Sequence, residues 1–147
     1  MSERARVLRV IDVNRNRTLE ALRVVEEHAR FVAEDRAAAR AAKALRHRLQ
    51  QALALPELGE ALAARDVAGD LGHPSVAPDT RARTDAGEVL AANLSRAKEG
   101  LRALEEYAKV AAPAASVPLS ECRYELYALE QLALAGPPSL AGREVYA

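Results

Sequence analysis

Asn14, Arg17 and Glu20 recur, in type and in spacing, as Asn93, Arg96 and Glu99, and these six are the side chains best placed to do chemistry. A guanidinium presents a planar fork that suits phosphate oxygens. An amide can read the edge of a nitrogen heterocycle, and a carboxylate three residues from an arginine can orient that arginine or meet a substrate amine. The recurrence belongs to a longer one: residues 14 to 30, NRNRTLEALRVVEEHAR, return at residues 93 to 109 as NLSRAKEGLRALEEYAK. Leu22-Arg23 matches Leu101-Arg102, and Glu26-Glu27 matches Glu105-Glu106. Most of the shared residues are charged, whereas a duplication kept only for its fold would hold its apolar positions and let the solvent face drift. Two readings follow for the paired Asn and Arg. They form either a ligand site between the copies or a hydrogen-bond network between helices.

A second, shorter match follows each copy, Leu45-Arg46-His47-Arg48-Leu49 against Cys122-Arg123-Tyr124-Glu125-Leu126. The elements that must carry these residues are therefore two helical hairpins related by a pseudo-two-fold axis, with equivalent side chains facing one cleft. The predicted fold is all-α, a bundle of two pseudo-symmetric hairpins joined by a long functional loop, with no sheet, because no segment sustains period-2 alternation. Ser2 is expected to cap a first helix running to about Ala33, and Glu34 or Asp35 to turn into a second that ends before Pro56. A short helical turn is expected over Glu57 to Ala64. Thr84 or Asp85, with Glu88 three residues after Asp85, forms a capping-box pattern at the start of a third helix ending before Pro113. Pro118 and Ser120 are expected to open the last helix, to Ala135. Residues 1–136 read as one helical domain and 137–147 as a tail.

Projected at about 100° per residue, Leu22, Val25, Ala29 and Val32 fall on one stripe, and Leu101, Leu104, Ala108 and Ala111 on its counterpart; these are the expected core faces. Ala21 and Gly100 sit at the stripe's edge, where small residues admit a neighbouring helix or a ligand. Asn14 and Asn93 lie on the stripe itself, and a polar side chain there needs a partner. Arg23 with Glu27, Glu26 with Arg30, Arg102 with Glu106 and Glu105 with Lys109 are spaced i, i+4, which fits a solvated ladder of ion pairs.

The connection RDVAGDLGHPSVAPDTRAR is the other candidate region. Long irregular connections in compact helical domains are uncommon and are functional or simply linkers. Arg65, Asp66, Asp70, Gly72, Ser75, Arg81 and Arg83 supply acids for a divalent cation, bases for phosphate, and a glycine that lets backbone amides approach an anion.

Composition narrows the classes. The chain has 147 residues, half of them apolar with 3% aromatic, and equal numbers of acidic and basic residues. Zero formal charge argues against bulk electrostatic binding of nucleic acid. One cysteine, Cys122, excludes an internal disulfide, and no signal-peptide core or membrane-spanning run is present, so the cytoplasm is the expected compartment. His28, His47 and His73 are isolated, which argues against zinc, and neither a P-loop nor a dinucleotide-binding glycine fingerprint occurs. Arg, Asp, Glu and Asn without an activated Ser, Cys or His suit phosphoryl transfer to an acceptor that is already a phosphate. Its oxygen is anionic, so positioning and charge neutralisation carry most of the rate. A binding module is equally compatible with composition and spacing.

The ordered stretches IDVNRNRTLEALRVVEEHARF, LRHRL, ARDVAGDLG, AANLSRAKEGLRALEEYAK and CRYELYALE resemble the successive motifs of the monofunctional hydroxymethylpyrimidine phosphate kinase family of thiamin biosynthesis, over roughly residues 7 to 134. Members of that family are often met as an N-terminal domain fused to thiamin phosphate synthase. The resemblance implies phosphorylation of 4-amino-5-hydroxymethyl-2-methylpyrimidine phosphate to the diphosphate with ATP and Mg²⁺, the free alcohol being a poor substrate. Asp12, Asn14, Arg17, Glu20, Arg23 and Glu26 match its first motif, Arg46 and His47 its second, and Arg65, Asp66, Asp70 and Gly72 its loop. Asn93, Arg96, Glu99, Arg102 and Glu105 match its fourth motif, and Arg123 and Tyr124 its last. On these positions we expect Arg17 and Arg96 to hold phosphates, Asn14, Asn93 and Glu20 or Glu99 to read the aminopyrimidine, and Asp66 and Asp70 to carry Mg²⁺. Arg23, Arg46, His47, Arg65, Arg102 and Arg123 complete the expected binding set. His28 departs from the aromatic residue usual at its place, which the second copy has as Tyr107. The expected partners are a pyrimidine phosphate and a nucleotide, with a homodimer as a further expectation. A non-catalytic helical module that binds a thiamin precursor or a partner enzyme, and a purely structural bundle, are the alternatives.

Overall fold

Among the described residues the main elements are four α-helices: α1 (Glu3–Glu27), α2 (Arg36–Ala52), α3 (Ala86–Ala111) and α4 (Ser116–Ala135). The computed structural model describes residues 2–59, 69–71 and 82–138. Among these no strand occurs, and the fold is all-α. The helix starts follow the capping chemistry. The Ser2 hydroxyl accepts from the Ala5 amide at 3.1 Å, and the Asp35 carboxylate from that of Ala38 at 3.1 Å. Asp85 accepts from the Glu88 amide at 2.9 Å, while Glu88 reaches back to accept from the Thr84 amide at 2.8 Å. α4 begins at Ser116, earlier than its prolines suggest. Pro118 sits in the first turn, where amides have no intrahelical acceptor and a missing N–H costs nothing.

α1 does not end as the periodicity predicts. A π-helical turn, His28–Val32, follows it, and the Ala33 amide donates to the His28 carbonyl five residues back at 2.9 Å. The wider turn rotates the chain off the α-helical stripe. Ala29 stays buried, but Val32, expected in the core, is 60% exposed, whereas its counterpart Ala111 is buried. Glu34 then closes the turn with φ 51, the left-handed conformation that commonly ends helices. A 3₁₀ turn occupies Pro56–Gly59 within the short helical turn expected at 57–64; residues 60–64 lie outside the described set.

The helices pack as a ring, α1 against α2, α2 against α4, α4 against α3 and α3 against α1, the last being the most extensive contact. The Arg4 guanidinium donates to the Ala111 carbonyl, and Thr18 lies against Gly100, so α1 and α3 run antiparallel. The buried leucines follow the duplication: Leu22 and Leu101, Val25 and Leu104, Leu45 and Cys122, Leu49 and Leu126 occupy equivalent core positions. Arg48 forms an ion pair with Glu125, its own counterpart in the repeat, which places that contact on the pseudo-two-fold axis between α2 and α4. No helix among the described residues is long and apolar enough to cross a membrane.

Candidate functional site: the cleft at the α1–α3 crossing

The two longest helices cross where the repeat is strongest, and the crossing sets the site. Gly100 is buried there, and a Cβ at this position would lie 2.2 Å from the Thr18 hydroxyl oxygen. The missing side chain therefore admits Thr18, which donates to the Asn14 carbonyl at 2.7 Å, rather than a ligand. In the repeat Thr18 corresponds to Ala97 and Gly100 to Ala21. Thr18 faces Gly100 across the crossing, and at the equivalent positions Ala97 and Ala21 are both small and buried.

Around this crossing opens a cleft of about 530 Å³, lined by Asn14, Arg17, Glu20, Ala21 and Val24 from α1 and by Asn93, Arg96, Glu99 and Gly100 from α3. All six residues of the duplicated Asn-Arg-Glu set line it. The asparagines are fixed alike: the Asn14 amide donates to the Val10 carbonyl at 2.9 Å and the Asn93 amide to the Val89 carbonyl at 2.8 Å. Each Nδ2 thus satisfies itself one turn back on its own helix, leaving the Oδ1 as the acceptor for a third party. Asn93 is buried and Asn14 half-buried, while the four charged residues are exposed. Two guanidiniums and two carboxylates make the cleft formally neutral. It suits a ligand that carries both donors and an anionic group better than a bare polyanion.

Other expected site residues lie elsewhere. Arg46 pairs with Glu26 at 3.1 Å, and Arg123 pairs with Glu105 at 2.7 Å. These are equivalent bridges, one inside each hairpin, and all four side chains are largely removed from water. Hydrogen bonding to Tyr127 and then to Glu105 raises the Arg123 pKa further above its ordinary value, so this arginine is a fixed cation that ties α3 to α4. Neither Arg46 nor Arg123 lines the cleft. Glu26 and Glu105 thus take partners from the next helix, in place of the expected i, i+4 contacts with Arg30 and Lys109. Arg102 keeps its expected bridge to Glu106, at 3.4 Å, on the outer face of α3, where Lys109 holds the Glu106 carboxyl below its usual range. Arg23 and His47 are exposed and also lie outside the cleft lining. Asp70 is exposed, and Asp66, Arg65, Gly72 and Arg81 lie outside the described residues. Among the described residues no group of three or more His, Cys, Asp or Glu is gathered to hold a metal ion.

Val24 is the lining residue that the sequence analysis missed. It follows Arg17 and Glu20 at i+7 and i+4, one face of a helix, so the projection that found the others contained the signal. Cys122, by contrast, is buried in the core, and desolvation lifts its thiol to about 11; it carries no chemistry at neutral pH.

Similarity to known proteins covers most of the chain. A thiamine-phosphate synthase of Synechocystis is 43% identical over 124 residues, which is 84% of this chain and 35% of that protein. Thiamine-phosphate synthases of Rhodopirellula baltica, 35% identical over 86% of this chain and 34% of that protein, and of Thermosynechococcus vestitus, 38% identical over 92% and 38%, are also similar. The chain spans about a third of the length of these relatives. No solved structure matches it. Residues 9–132, which contain both copies of the duplicated motif and the cleft between them, match the ThiD2 family, and the chain belongs to that family.

Proposed function

We propose that this protein is a kinase that converts 4-amino-5-hydroxymethyl-2-methylpyrimidine phosphate to its diphosphate with ATP, a step that supplies the pyrimidine half of thiamin. The observation that carries the reading is the convergence of Asn14, Arg17, Glu20, Asn93, Arg96 and Glu99 on one cleft. Similarity to thiamine-phosphate synthases ties the chain to the same pathway, as does the motif order.

In this reading Arg17 and Arg96 hold the phosphates of acceptor and donor near one another, so that the acceptor phosphate oxygen lies in line with the γ-phosphorus of ATP. That oxygen forms the new P–O bond as the bond from the γ-phosphorus to the β-phosphate oxygen breaks, and ADP leaves with its charge matched by a guanidinium. The acceptor is already an anion, so no side chain has to remove a proton, consistent with a cleft that has no His, Cys or Ser among its described lining residues. Glu20 and Glu99 fit a magnesium ion, which ordinarily takes one or two carboxylates with substrate phosphates and water. When bound, the ion neutralises donor charge. Asp66 and Asp70 of the connection are the further candidates for holding it.

Incubation with ATP, Mg²⁺ and the pyrimidine phosphate, followed by ³¹P NMR, tests the reading. The expected result is growth of a diphosphate signal in step with ADP, with the free alcohol left unphosphorylated. Tight binding of the pyrimidine phosphate with no ADP would replace the kinase with a binding module.

A further inference from the structure

The cleft is nearly two-fold in its polar residues but not in its walls, and that asymmetry distinguishes its ends. Thr18 and Asn14 lie against Gly100. Six residues on from Thr18 along α1 is Val24, and six back from Gly100 along the antiparallel α3 is Leu94. At about 1.5 Å per residue, Val24 stands about 9 Å further along the seam, level with Asn93. One end of the cleft therefore carries Val24 and Ala21 beside Asn93, which is only 7% exposed and offers its Oδ1 as acceptor. The other end carries Asn14, Glu99 and Gly100, and the counterpart of Val24 there, Ala103, lies outside this cleft, in an adjoining open cavity with Tyr107 and Val110 on the far side of Glu99.

Resting on the kinase reading, we infer that the Val24 end takes the flat aminopyrimidine ring of the acceptor and the Asn14–Glu99 end the phosphates of the donor, with Val24 the residue that fixes this polarity. A heteroaromatic ring gains from an apolar wall that excludes water and from an acceptor for its exocyclic amine. A polyphosphate needs neither. The buried Asn93 amide, already anchored through Nδ2, supplies the acceptor at the end of the cleft that Val24 and Ala21 wall.

Equilibrium binding tests this directly. In isothermal titration with the pyrimidine phosphate and, separately, with ATP, Val24→Asn is expected to raise Kd for the pyrimidine phosphate about fivefold or more while Kd for ATP changes less than about twofold. Ala103→Asn, the same change at the counterpart position, is expected to leave pyrimidine phosphate binding within about twofold of the parent. Should Val24→Asn lose its helical circular dichroism, the isosteric Val24→Thr replaces it, with a smaller shift of about threefold in the pyrimidine phosphate alone. Equal weakening of both ligands, or no binding of the pyrimidine phosphate by the parent protein, overturns the inference. The kinase reading fails separately: the Val24 contrast with no ADP formed sinks the kinase and sustains the assignment of the ring site.

Discussion

The α1–α3 seam and the two hairpin seams were built from the same duplication, yet they use their charged residues in opposite ways. Within each hairpin a repeated glutamate meets a repeated arginine from the neighbouring helix, Glu26 with Arg46 and Glu105 with Arg123, and both partners are largely buried. At the seam between hairpins, Arg17, Glu20, Arg96 and Glu99 stay exposed around a cleft. Recurrence of a charged residue therefore does not mark a site on its own. The hairpin pairs are kept because half of a desolvated ion pair is worse than none; under the proposed function the cleft residues are kept because they meet a ligand.

That contrast can be broken from its structural side first. Glu105→Ala leaves Arg123 beside α3 without its carboxylate, and the largest loss of stability among these changes is expected. Urea denaturation should show it, and Glu26→Ala should fall in the same range if the two hairpins are equivalent. Gly100→Ala is next, with about 1–3 kcal/mol lost to overpacking against Thr18. The double change Thr18→Ala with Gly100→Ala recreates the Ala21–Ala97 pairing of the other copy and should recover most of that loss. Failure of the second change to rescue the first would deny that the crossing is pseudo-symmetric.

Smaller effects sharpen the picture. The Cys122 thiol is raised from an ordinary 9.0 to about 11 by burial, so the folded state holds its proton where the unfolded state has lost it. This contribution is complete below about pH 9 and is lost as pH rises through 11, and a thiol reagent at pH 8 should label the native protein far more slowly than the denatured one. Arg48→Ala removes the ion pair on the axis, but Arg48 is about half exposed, and less than about 1 kcal/mol is expected.

Much of this fold was legible in the sequence because its signals are local. Ser2, Asp35 and Asp85 with Glu88 cap the helices they were expected to cap, and the stripe through Leu22, Val25 and Ala29 is core. Val32 was misplaced because a π-turn adds a residue to the ladder and no residue type announces it. The pairing of Arg46 and Arg123 was illegible for another reason. Their partners lie on neighbouring helices, about twenty residues away in sequence, while the i, i+4 spacing offered nearer and equally plausible ones. The cleft residues were found because the duplication singled them out, whereas Val24, apolar and lacking a counterpart in the lining, carried only its place on the helical face.

The central claim is that the two copies act together upon one anionic ligand pair, and the double variant Arg17→Ala with Arg96→Ala tests it most directly. ADP formation dependent on the pyrimidine phosphate should fall at least tenfold in kcat/KM for each single change, about 1.4 kcal/mol, and at least about a hundredfold for the pair, with the helical circular dichroism unchanged. A folded double variant that turns over at the rate of the parent would contradict the account.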